Sequence, residues 1–153
     1  MEREVHLPLY YLSNIRDKKM EKNGKKKILV VDDDKKSRYL VSFLLEKEGF
    51  EIIMATNGLE GIEAAEKQQV DLIIMDIKMP KMDGHETTRR IRRLKKYKSI
   101  PIIALTSYVI TEDKEKALKA GCTGHMSKPI APETFISEIK KFLEVKDEKS
   151  NSS

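Results

Sequence analysis

Ile28-Leu29-Val30-Val31-Asp32-Asp33-Asp34 is a run of four uninterrupted apolar residues that ends in three acids. An apolar run this short, with no polar alternation, is what a strand covered on both faces by helices looks like. Similar runs recur at Ile52–Ala55, at Leu72–Met75 with Asp76 directly after it, and at Ile102–Leu105 with Thr106 and Ser107 after it. A shorter and weaker fifth strand is expected around His125–Ser127, ahead of Lys128 and Pro129. Between the runs the apolar residues take helical spacing: Leu40, Phe43 and Leu44; then Leu59 and Ile62; then Phe135, Ile136, Ile139, Phe142 and Leu143. Asn57 with Glu60 and Asp83 with Glu86 have capping-box spacing, Asp34 suits the N-cap of the first helix, and Pro132 suits a first helical turn. Gly49 and Gly121 stand where helices end. Strands and helices that alternate with short connections predict an α/β fold: five strands and five helices, a parallel sheet with helices on both faces, and ligand chemistry at the carboxyl ends of the strands.

The rest of the composition excludes other classes. A chain of 153 residues is of single-domain length, and no apolar stretch approaches the roughly 18 residues that cross a bilayer, so membrane insertion is not expected. The single cysteine, Cys122, cannot form an internal disulfide, and with no secretory signal in the first residues a cytoplasmic location is expected. Cys122 itself, after Gly121, suits a small buried position. The formal charge of +5 is unevenly placed: residues 1–27 carry +4 and the remainder +1. This divides the chain into a basic N-terminal extension, 1–26, without helical or strand period; a domain, 27–145; and a polar tail, 146–153. Within the domain, Arg89, Arg90, Arg92, Arg93, Lys95, Lys96 and Lys98 suit a solvated helix face, and His6 and His85 suit surface positions.

The predicted strand ends bring Asp32, Asp33 and Asp34, then Asp76, then Thr106, then Lys128 to one edge. Clustered carboxylates repel unless a cation neutralises them, and hard oxygen donors suit Mg²⁺, which takes one or two carboxylates together with waters and phosphate oxygens. A carboxylate can also attack a phosphoryl group, given a metal and a positive side chain to balance the charge. Lys128 can supply that charge and Thr106 a hydroxyl donor.

Four stretches, Ile28-Leu-Val-Val-Asp-Asp-Asp34, Met75-Asp-Ile-Lys-Met-Pro-Lys-Met-Asp-Gly84, Pro101-Ile-Ile-Ala-Leu-Thr-Ser107 and Ser127-Lys-Pro129, stand in an order and spacing that resemble the receiver domain of two-component response regulators. The resemblance implies a flavodoxin-like doubly wound (βα)5 fold with strand order 2-1-3-4-5. It implies that Asp76 accepts a phosphoryl group from a histidine kinase or histidine phosphotransfer protein. Mg²⁺, or Mn²⁺, would be held by Asp32, Asp33, Asp76 and the backbone carbonyl of Lys78. Thr106 and Lys128 would contact the phosphoryl oxygens, and the Lys128–Pro129 peptide bond would be cis.

By the same resemblance the chain is a signalling switch that catalyses only its own phosphorylation and dephosphorylation. It would act on a downstream protein through the face formed by the fourth helix, fifth strand and fifth helix, as a monomer or a phosphorylation-dependent dimer. His125 departs from the family pattern, standing three before Lys128 where an aromatic ring usually couples to the threonine. Lys78 and Tyr108, two residues after Asp76 and Thr106, would flank the phosphoryl group and modulate its hydrolysis.

Two rival readings arise from other features. An aspartate phosphatase of the haloacid dehalogenase type would use Asp32 and Asp34 as nucleophile and acid, but that pattern wants Thr or Val where Lys36 stands and has no use for Asp76. A receiver that regulates nucleic-acid binding would use the basic extension, although DNA is not an expected partner of the domain itself.

Overall fold

The computed structural model describes residues 24–107 and 111–151. The predicted alternation is present: β1 (Lys27–Val31), α1 (Lys35–Lys47), β2 (Glu51–Ala55), α2 (Gly58–Lys67), β3 (Leu72–Asp76), α3 (Gly84–Arg92), a short 3-10 turn (Lys95–Tyr97), β4 (Ile102–Thr106), α4 (Thr111–Ala120), β5 (Gly124–Ser127) and α5 (Pro132–Asn151). All four strand pairings are parallel, in the order β2-β1-β3-β4-β5. Asp76 and Thr106 are the last residues of β3 and β4.

Strand periodicity divides the core in two. Leu29, Val31, Ile73, Met75, Ile102 and Ala104 face the layer of α2, α3 and α4, where Ala65, Ile91, Ala117 and Cys122 meet them. Ile28, Val30, Leu72, Ile74, Ile103 and Leu105 face α1 and α5, against Val41, Leu45, Phe135, Ile139 and Leu143. The central strands β1, β3 and β4 are almost wholly buried, whereas β2 and β5 are half open because each sheet edge has a neighbour on one side only.

Helix boundaries follow the expected chemistry. The Ser37 N–H donates to Asp34 Oδ2 (3.1 Å), Glu60 N–H to Asn57 Oδ1 (2.9 Å) and Glu86 N–H to Asp83 Oδ1 (2.9 Å). Gly49 and Gly121 follow α1 and α4 with φ of 95° and 111°.

Leu40 and Phe43 do not face the core: α1 buries Val41 and Leu45, and Tyr39, Leu40 and Phe43 are exposed. Leu59 is likewise exposed, while α2 packs through Ala65 with Ile62 beside it. Helical spacing alone does not say which of two adjacent apolar stripes turns inward. Arg92 is not part of a solvated face. Its half-buried guanidinium donates to the carbonyls of Gly121 (2.8 Å), Tyr97 (2.5 Å) and Ile100 (2.6 Å), joining the end of α3 to the connection that leads into β4 and to the one between α4 and β5. His85 is half-buried rather than on the surface, with its Nε2 shielded from solvent.

Candidate functional site

The parallel register places the carboxyl ends of β1, β3 and β4 side by side, with Val31 opposite Met75 and Asp76 opposite Leu105. Asp32 follows β1 and is fully buried; Asp76 closes β3 and is 4% exposed. Lys128, after β5, reaches across both strands: its Nζ lies 3.0 Å from Asp32 Oδ2 and 3.3 Å from Asp76 Oδ1. Asp33 is exposed, and one carboxylate oxygen each from Asp32, Asp33 and Asp76 falls within a 4.8 Å cluster. Three hard, anionic donors at that spacing fit a divalent cation of the Mg²⁺ type.

The surrounding backbone fixes these groups. Asp32 Oδ1 accepts from the Asp34 N–H (2.9 Å), and the Asp32 carbonyl accepts from Arg38 Nη1 (2.7 Å). The Lys128 N–H donates to the Thr106 carbonyl (2.7 Å), which ties the lysine to the end of β4. The peptide bond between Lys128 and Pro129 is cis. Gly84 is required by close approach: a Cβ there would run into the carbonyl oxygen of Asp76 and the Cα of Ile77.

Electrostatics set Asp76 apart. Burial, followed by the neighbouring Asp32 charge, raises its pKa from 3.8 to about 7, against the opposing pull of Lys128. Burial would lower Lys128, but the carboxylates of Asp32 and Asp76 outweigh it and hold the ammonium above its ordinary value. The Thr106 Oγ1 is buried and has no hydrogen-bond partner among the described residues.

The residues singled out in the sequence divide accordingly. Asp32, Asp33, Asp76 and Lys128 are brought together, and Thr106 closes the strand beside Asp76. Lys78 lies in the loop after β3 with an exposed side chain. His125 is half-buried on β5, and burial together with Lys114 of α4 lowers its pKa. Tyr108 lies outside the described residues. Asp34 caps α1 instead of joining the acid cluster, which removes the pairing with Asp32 that an Asp-x-Asp phosphatase would need. Sequence reading missed Arg38, whose contact is with a backbone carbonyl, and the cleft where Leu40 of α1 meets Lys128, Pro129 and Ile130.

A family model described as the response regulator receiver domain matches residues 28–140. The chain belongs to that family. Receivers are phosphorylation-activated signalling switches of two-component systems, and this receiver has the acid cluster of a divalent-metal site. It is 36% identical to the polar-differentiation response regulator DivK of Brucella anthropi over 118 residues, covering 77% of this chain and 96% of DivK. It is 40% identical to a probable transcriptional regulator, ycf29, of Porphyra purpurea over 116 residues, 76% of this chain and 55% of ycf29. Among solved structures it resembles the chemotaxis response regulator CheY4 of Vibrio cholerae, with a TM-score of 0.75 and 36% identity, over 77% of this chain and 98% of that one. The receiver domain of a Pseudomonas aeruginosa sensor histidine kinase, determined with a magnesium ion in its active-site cleft, gives a TM-score of 0.73 at 28% identity, over 78% of this chain and 98% of that one. No helix among the described residues is long and apolar enough to cross a membrane.

Proposed function

We propose that Asp76 is the phosphoacceptor of this receiver, taking a phosphoryl group from a phosphohistidine on a kinase or phosphotransfer protein, and that the domain is the unit 27–145. The observation that supports this most is Lys128 lying within ion-pair distance of both Asp32 and Asp76 at the mouth of the strand ends. An Asp76 carboxylate oxygen attacks phosphorus, the bond from phosphorus to the donor nitrogen breaks, and the imidazole leaves with that electron pair. Asp32, Asp33, Asp76 and the Lys78 carbonyl would hold Mg²⁺, which when bound neutralises charge on the transferring oxygens. Lys128 balances the remaining negative charge, and its hold on the Thr106 carbonyl keeps it beside the end of β4.

Thr106 offers an unsatisfied buried hydroxyl, and a phosphoryl oxygen on Asp76 gives it an acceptor. Satisfying that hydroxyl biases the end of β4 and so the face of α4, β5 and α5, where His125, Met126 and Phe142 line a groove of about 590 Å³ for a downstream protein. Acetyl phosphate with Mg²⁺ is expected to place one phosphoryl group per chain. Borohydride reduction followed by peptide mapping should find it at Asp76, and a map to any other carboxylate overturns the assignment.

The phosphodonor docks on α1. Tyr39 and Phe43 are 73% and 54% exposed, and the cleft that Leu40 forms with Lys128, Pro129 and Ile130 joins this apolar stripe to the mouth of the site. Phe43→Glu is expected to slow transfer from the phosphohistidine protein by about tenfold or more, while labelling by acetyl phosphate, which needs no docking, is unchanged. Equal slowing of both donors would place the defect in the site and not in docking.

A further inference from the structure

Every polar atom of Asp32 is held, and each by a different part of the chain. Its N–H donates to the Ala55 carbonyl at the end of β2 (3.1 Å), and its Oδ1 accepts from the Asp34 N–H (2.9 Å). Its Oδ2 accepts from Lys128 Nζ (3.0 Å) and its carbonyl from Arg38 Nη1 (2.7 Å). Arg38 reaches back six residues to make that last bond, from the fourth position of α1, where its own N–H donates to the Asp34 carbonyl (2.9 Å). These bonds close the turn between β1 and α1 into a ring, and Asp33 sits in the middle of it. The peptide unit before Asp33 is pinned through its carbonyl by Arg38, and the unit after it is pinned through its N–H by Asp32 Oδ1. Asp33 is exposed, so its carboxylate is aimed by these two peptide units and not by core packing. That carboxylate is one of the three whose oxygens cluster within 4.8 Å.

Arg38 stands close to a cluster of acids, yet it pairs with no carboxylate among the described residues and gives its donor to a backbone carbonyl. A guanidinium spent this way leaves the carboxylate oxygens to a cation, and its rigid fork fixes a carbonyl more firmly than the flexible ammonium of a lysine would. We propose, on the reading that the acid cluster holds a divalent cation, that Arg38 is a positioning residue of this site: it orients the Asp32–Asp33 peptide so that the Asp33 carboxylate stands among the ligands. Groups that orient a ligand without touching the metal contribute about tenfold to a hundredfold in metal affinity. Charge alone predicts the opposite sign, since removing a cation beside carboxylates should tighten Mg²⁺. The Arg38 side chain is partly open to water, however, so its field is screened and the loss of aim outweighs it.

Arg38→Met keeps the length of the side chain and removes its donors. By calorimetry it should bind Mg²⁺ about tenfold more weakly than wild type, with Arg38→Lys, which retains a donor, between the two. In chelator the Asp34 amide should exchange with solvent about tenfold faster in Arg38→Met, while the amides of Ile73 and Ile74 in β3 keep their wild-type rates, a local loosening that a loss of global stability would not produce. Added to Asp33→Asn, Arg38→Met should weaken Mg²⁺ binding by no more than about twofold further, because the carboxylate it aims is already gone. Unchanged or tighter Mg²⁺ binding by Arg38→Met, exchange that quickens equally in the turn and in β3, or a full tenfold loss on top of Asp33→Asn would each overturn this role. Wild-type protein that binds no Mg²⁺ would overturn the metal site itself and the role of Arg38 with it.

Discussion

Asparagine in place of Asp76 is expected to lower labelling by acetyl phosphate at least about 100-fold and, at the same time, to stabilise the metal-free protein at pH 8 by about 2 kcal/mol. The two effects have one cause. As the proposed phosphoacceptor Asp76 must be a nucleophilic carboxylate, and the fold keeps that carboxylate out of water next to the buried Asp32 charge, which is why its pKa rises to about 7. A carboxyl held above its ordinary value binds a proton that the unfolded chain has already lost. Wild-type stability therefore declines as pH rises from about 4 to about 7 and stays low above that. A rise from 3.8 to about 7 corresponds to about 4 kcal/mol. The amide recovers about half, because it gives up the charge-assisted contact with Lys128. Thermal unfolding in a chelator at pH 5 and pH 8 checks this: the variant should melt roughly 5 °C above wild type at pH 8 and close to it at pH 5. A wild-type protein whose stability rises from pH 5 to pH 8 would show that Asp76 is not held protonated. Added Mg²⁺ should narrow the gap at pH 8, since the cation stabilises the ionised wild-type cluster and loses a ligand in the variant.

Much of this site could be read before the fold was known because Asp32, Asp76 and Thr106 each end an apolar run. Asp32 follows Val31, Asp76 follows Met75 and Thr106 follows Leu105, so a parallel sheet has no choice but to bring them to one edge. The caps at Asp34, Asn57 and Asp83 were equally legible, since a side-chain acceptor three residues before a free helix N–H is a local matter. Features that depend on the third dimension were not. The α1 stripe of Tyr39, Leu40 and Phe43 has helical spacing as good as that of Val41 and Leu45, and only the position of β2 and α5 decides which one is covered. Arg92 stands in a run of like charges, and its inward turn depends on three carbonyls contributed by the 3-10 turn, the start of β4 and the end of α4. Gly84 could be read as a turn glycine, but its contact with the Asp76 carbonyl comes from how α3 approaches the end of β3.

Lys128→Ala should separate metal binding from phosphoryl transfer by moving them in opposite directions. In the resting protein the ammonium lies 3.0 Å from Asp32 and 3.3 Å from Asp76, occupying the charge that a divalent cation would otherwise meet. Removing it leaves the buried Asp32 and Asp76 carboxylates facing each other with no counter-charge, and each then gains more from a cation. Mg²⁺ affinity, followed by calorimetry, is expected to rise about tenfold at pH 8. Phosphoryl transfer from acetyl phosphate should nevertheless fall about 100-fold, because the positive group proposed to balance charge on the transferring phosphoryl oxygens is gone and water replaces it poorly. The metal-free variant should lose about 3 kcal/mol of stability, the usual penalty for stripping one partner from a buried ion pair, with much of it restored by Mg²⁺. A lysine that only held the fold together would weaken metal binding and transfer in parallel. Tighter Mg²⁺ with slower transfer is the outcome that a positioned cation at this place requires.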